Sequence, residues 1–145
     1  MSSVPFHYID LRTFCYGTED DERVEDALRS FLPEEFEIQR AESEGHHGDR
    51  ILVLSARVEN ADEMRTVLGA LGDLPDEEFA QVQDELDERV TENTEFFLSL
   101  SKQAAFSGDI ERGDGITFRA KVEAYPAKKA HALENVKETL ATLDE

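Results

Sequence analysis

Few residues in this 145-residue chain have types and spacing suited to chemistry. His46 and His47, adjacent between Gly45 and Gly48, are of metal-ligand type. Adjacent side chains point apart, however, and no second His or Cys pair stands nearby, so a polar loop is the reading. The single cysteine, Cys15, excludes an internal disulfide and any multi-cysteine metal site. It falls on the apolar face of a predicted strand, as a buried structural thiol would. With 34 carboxylates in the chain, some pairs fall within catalytic distance by chance, and their abundance supports no acid–base mechanism. Phosphate-loop, dinucleotide-binding, zinc-protease and nucleophile-elbow motifs do not occur. The expectation is a non-enzyme with no catalytic residue, no cofactor and no metal.

Cations remain. The chain has 34 acidic and 15 basic residues, net −19, with five lysines against ten arginines. An even excess of acid with scarce lysine is the composition of a halophile's protein. At about 1 M salt the Debye length is about 3 Å, so the self-repulsion of such a surface is screened. The acids sit inside periodic segments rather than in one tail. Their distribution is uneven: residues 1–95 are net −18, whereas residues 96–131 carry six basic and four acidic residues. That spared region opens with FLSLSKQAAFSG, residues 97–108, whose one charge is Lys102. The cluster Lys102, Arg112, Arg119, Lys121, Lys128 and Lys129, with Gln103, Phe106 and Tyr125 among them, suits a phosphate backbone with exposed bases. An ordinary mixed sheet face has the same composition.

The elements that must position these groups follow from periodicity. Ile9, Leu11, Thr13 and Cys15 alternate with Tyr8, Asp10, Arg12 and Phe14, which predicts a first strand over 4–16. Thr18 and the acids after it predict a helix start, with Val24, Ala27, Leu28 and Phe31 inside and a stop near Pro33. Phe36, Ile38 and Ala41 suggest a short strand, paired through the Gly-His-His-Gly loop with a strand over 51–58. Asn60 with Glu63 marks a second helix ending at Gly72. Pro75 opens a third, with Phe79, Val82, Leu86 and Val90 on one stripe. Phe96, Leu98 and Leu100 predict a strand, turns fill 108–115, and 116–125 alternates most cleanly of all. A last helix carries Leu133, Val136, Leu140 and Leu143.

The order β-α-β-β-α-α-β-β-α predicts an α+β fold, a largely antiparallel sheet with helices on one face and the other face wet. On that wet face fall Arg119 and Lys121, then Arg12, Ser99 and Ser101. The chain, 1–145, reads as a single domain. Its N-terminus lacks a signal-peptide pattern, and no apolar run is long enough to cross a bilayer, so the expectation is cytoplasmic with no membrane partner.

Four blocks in one order are similar to an archaeal family of RNA-binding or exosome-subunit proteins, uncharacterised protein family 0201. They are IDLRTFCYGTEDDERVEDAL, GHHGDRILVL, LSKQAAFSGDI and FRAKVEAYPAKK, and the resemblance spans residues 6 to about 140. Gly17 stands where that family often has Ala, Asp49-Arg50 where it has Asn-Pro, and Ser101 where it often has Asp. The resemblance implies a fold like that of ribosomal large-subunit protein five, compared also with double-stranded-RNA-binding domains. It implies a non-catalytic, exosome-associated or ribosome-related accessory factor that binds structured RNA. The residues expected to form that surface are Arg12, Lys102, Gln103, Arg119 and Lys121, with His46, His47 and Arg50 beside them. Ala104, Ala105 and Gly108 are expected to allow a close approach next to Lys102. The second reading is a protein–protein or homodimerisation module without direct RNA binding.

Overall fold

The computed structural model describes residues 4–44 and 48–143. Among them the chain runs β1 (Phe6–Tyr16), α1 (Asp21–Arg29), β2 (Gln39–Glu44), β3 (Arg50–Val58), α2 (Ala61–Leu71), α3 (Asp76–Asp84), α4 (Leu86–Arg89), β4 (Glu95–Ser101), α5 (Lys102–Ala105), β5 (Gly115–Val122) and α6 (Lys129–Leu143). The strands form one sheet in the order β2-β3-β1-β5-β4, and every neighbouring pair is antiparallel. The expected α+β class holds. β1 is central because it inserts between the two hairpins, pairing with β3 on one side and β5 on the other.

Period-two alternation sets the two faces. Ile9, Leu11, Leu54, Val58, Phe96, Leu100, Ile116 and Phe118 point inward and are fully buried with Val24 and Leu28 of α1, Val67 of α2 and Val136 of α6. Burying side chains of this size stabilises the fold by about 1.5–3 kcal/mol each relative to exposure. Asn60 caps α2 by accepting from the backbone N–H groups of Asp62 and Glu63, at 2.9 and 3.2 Å.

Four local expectations are corrected. Asp20, not Thr18, caps α1, because a turn from Glu19 N–H to the Tyr16 carbonyl comes first. β2 begins after Phe36 and Ile38, which tuck against the core ahead of it. The third helix breaks at Glu85, so that Val90 turns extended and bridges Phe96 of the sheet. β5 ends at Val122, since the Glu123 N–H still donates to the Pro5 carbonyl but Pro5 has no N–H to return.

The link between β4 and β5 positions Lys102. Ser101 caps α5, its Oγ accepting from the Ala104 N–H at 2.9 Å. The returning chain then crosses residues 101 and 102 so tightly that side chains are excluded. A Cβ on Gly115, whose φ is +111°, would stand 2.5 Å from the Lys102 Cβ. One on Gly113 would stand 2.8 Å from the Ser101 Cβ. Gly113 and Gly115 make the close approach beside Lys102, whereas an added Cβ on Gly108 would meet nothing within 4 Å.

Candidate nucleic-acid interface

The outward side chains form rows across the sheet, fixed by register. Arg57 of β3, Asp10 of β1, Arg119 of β5 and Phe97 of β4 make one row. Tyr8, Lys121 and Glu95 make the row on one side of it. Gln39, Ser55, Arg12, Thr117 and Ser99 make the row on the other. Beyond these, β1 presents Phe14 and then Tyr16. The strand positions of this face carry four cations, Arg12, Arg57, Arg119 and Lys121, against two carboxylates, Asp10 and Glu95. In a chain of net charge −19 that is an inverted balance.

The cations are held to different degrees. Asp10 grips Arg57 through two hydrogen bonds, 2.8 and 2.9 Å, and the guanidinium lies 3.9 Å from the Tyr8 ring centre. Arg119 reaches Glu95 only at 4.0 Å. Lys121 donates to the Asn93 carbonyl. Arg12 has no carboxylate within ion-pair distance among the described residues; its guanidinium sits 5.9 Å from the Phe14 ring centre. Phe14 and Tyr16 stack with centres 6.4 Å apart and planes inclined by 29°, and both are exposed, 37% and 50%. Phe97, also exposed, has Arg89 5.8 Å from its ring centre.

Of the residues expected from sequence, three meet on this face: Arg12, Arg119 and Lys121. Lys102 does not join them. Its side chain is 12% exposed and its ammonium donates to the Phe14 carbonyl at 2.6 Å and to Glu19 at 2.8 Å, which holds it at the edge of the face, 5.4 Å from the Tyr16 ring centre. The β1–β5 pairing stops at Thr13 and Ile116, and the lysine takes the next carbonyl of β1. Gln103 is exposed on α5, which packs against α1. Arg50 shares the inward parity of Leu52 and braces α1, pairing with Asp21 at 3.1 Å and with Glu42 at 2.9 Å. His46 and His47 lie outside the described residues.

The same corner explains Cys15. Burial, together with a hydrogen bond to the Asp21 carboxylate at 3.3 Å, pushes its thiol up to about 11. At neutral pH it is the inert thiol expected of it. Burial alone would raise Glu19, but bonds from Lys102 and the Tyr16 N–H outweigh it and hold the carboxyl below its ordinary value.

Sequence reasoning passed over Phe14, Tyr16, Tyr8 and Arg57 as site residues. The signal was present: the alternation that buries Ile9, Leu11 and Cys15 turns Tyr8, Phe14 and Tyr16 outward. Beside Arg57 and Arg12 an open groove of about 860 Å³ runs to a rim of carboxylates that includes Glu35, Glu37, Glu59 and Glu63. Among the described residues, no group of three His, Cys, Asp or Glu side chains is placed to hold a metal ion. No helix there is long and apolar enough to cross a membrane.

Comparison with known proteins identifies the family. A family model described as RNA binding matches residues 8–122. The RNA-binding protein PAB1135 of Pyrococcus abyssi is 35% identical over 143 residues, covering 92% of this chain and 93% of its own. The solved structure of Mth689, a DUF54 protein of Methanothermobacter thermautotrophicus, is 39% identical, covers 93% of this chain and 98% of its own, and superposes with a TM-score of 0.78. The DUF54-family protein AF2318 of Archaeoglobus fulgidus is 25% identical, with coverage of 92% and 99% and a TM-score of 0.82.

Proposed function

The chain belongs to the archaeal RNA-binding family, also called UPF0201 or DUF54, and from that premise we propose that it binds RNA on the open face of its sheet. The single observation that carries this reading is the inverted charge of that face, four cations against two carboxylates in a −19 chain. Arg12 and Lys121 position the phosphate backbone, with Arg119, partnered by Glu95 at 4.0 Å, between them. Lys102 is a brace for the sheet end rather than a ligand contact. The relative from Pyrococcus abyssi is itself named an RNA-binding protein. The finer role is that of a non-catalytic, one-domain accessory factor in archaeal RNA processing or degradation, associated with the exosome, in a salt-rich cytoplasm.

The test is fluorescence anisotropy with labelled archaeal RNA fragments in about 2 M KCl, with circular dichroism confirming the fold. Saturable binding that falls at least about fivefold in the Arg12→Ala/Lys121→Ala double variant supports the reading. Absence of binding by the folded protein overturns it. A protein–protein role draws on β2, an edge strand with all six residues exposed; light scattering tests for the homodimer that such an edge permits.

A further inference from the structure

Resting on that reading, we propose that the face takes unpaired RNA bases, not a duplex, on two stacking stations along β1. One station is the Phe14–Tyr16 pair. The other is the Arg57 guanidinium, whose one face lies on the Tyr8 ring while Asp10 fixes its plane through the paired hydrogen bonds. Arg57 remains 53% exposed, so its other face is open to a base. Both kinds of surface, an aromatic ring and a planar guanidinium, accept a splayed base.

Three observations favour bases over a duplex. First, a duplex is bound through phosphates and 2′-hydroxyls across its minor groove, which needs free cations, yet Arg57 is tied to Asp10 and Arg119 faces Glu95. Second, the aromatic pair is exposed on the outward side of β1, and a duplex hides the base faces that such a pair would stack on. Third, the Arg57 station borders the carboxylate rim of Glu35, Glu37, Glu59 and Glu63. A phosphate is repelled there, whereas an uncharged base is not. Arg12 lines the same groove but has no carboxylate within ion-pair distance among the described residues, and Lys121 lies outside it, so the phosphates go to these two cations and the bases over the two stations. From Tyr8 to Phe14 is six residues of strand, roughly 20 Å, room for about three extended nucleotides. The ligand is a single-stranded segment: a loop, bulge or end of a structured RNA.

The chain supplies its own probe. It has no tryptophan and three tyrosines, of which Tyr8 and Tyr16 lie on this face. The full-length protein is titrated with a single-stranded A/U 12-mer and with a 16-base-pair RNA duplex at the same salt. Intrinsic tyrosine emission and anisotropy are both read. The expected result is binding of the 12-mer with quenched tyrosine emission and at least tenfold weaker binding of the duplex. Phe14→Ala and Tyr16→Ala, at exposed positions, then weaken the 12-mer at least about fivefold, while Phe14→Tyr restores it. Equal or tighter duplex binding, or aromatic variants that bind like wild type, overturns the stacking inference and leaves the RNA-binding reading standing. Failure of the folded protein to bind either probe overturns both.

Discussion

The ammonium of Lys102 lies 2.8 Å from the Glu19 carboxylate, across 83 residues of sequence, and also donates to the Phe14 carbonyl at 2.6 Å. One side chain thus ties the end of β4 to the turn after β1. It answers why an acidic chain keeps a lone lysine in an uncharged stretch: the cation closes the sheet end from inside. Replacing it with Met leaves the Phe14 carbonyl without this donor and the half-buried Glu19 carboxylate with the Tyr16 N–H alone. Lys102→Met is expected to destabilise the protein by about 1–3 kcal/mol, read from chemical unfolding midpoints at fixed salt. RNA affinity of the folded variant should stay within about twofold of wild type; a large loss of affinity with unchanged stability would return Lys102 to the binding surface.

Gly115 tests the same junction from the other strand. At φ +111° and with 2.5 Å between an added Cβ and that of Lys102, Gly115→Ala combines backbone strain with a clash. A loss of about 1–3 kcal/mol is expected, measured by thermal unfolding. Gly108→Ala separates the two contributions, because its φ is also positive but an added Cβ meets nothing within 4 Å; it should cost less.

Glu85 contributes to the acid limb. Hydrogen bonds from Arg112 and then Arg89 lower its carboxyl from 4.5 to about 2. A folded value below the unfolded one means the unfolded chain binds more protons between the two. The contribution is therefore full above about pH 4.5 and disappears as pH falls through about 2. Glu85→Gln should unfold at lower temperature at pH 7, with the gap to wild type closing between pH 4.5 and 2. Parallel profiles over that window would show that the arginine pair does not favour the charged form.

Much of this fold is legible in the sequence because its signals are local. The alternation in β1 and β5 assigns the faces of both strands, and Asn60 marks its helix without help from the rest of the chain. The break at Glu85 is not legible: Phe79, Val82, Leu86 and Val90 keep helical spacing, and what turns Val90 out is its bridge to Phe96. The misplacement of Lys102 has the same origin, since its partners stand 83 and 88 residues away. Phe14 and Tyr16 are legible as outward residues from the alternation that buries Thr13 and Cys15.

Salt dependence separates stacking from charge. Binding driven by phosphate neutralisation loses about 0.7–0.9 logarithmic units of affinity per tenfold rise in salt for each phosphate neutralised. Two cations of the face, Arg12 and Lys121, lack a carboxylate within ion-pair distance among the described residues. The slope for a single-stranded 12-mer is therefore expected to be no steeper than about −2. A slope of about −5 would point to a wholly phosphate-driven surface.

Ultraviolet crosslinking of the protein to a single-stranded RNA, followed by peptide mass spectrometry, tests the central claim most directly. The open-face account predicts adducts on the β1 peptide, at Tyr8, Phe14 or Tyr16, with Phe97 of β4 as the next site. Adducts confined to α2, α3 or α6, on the far side of the sheet, would contradict it.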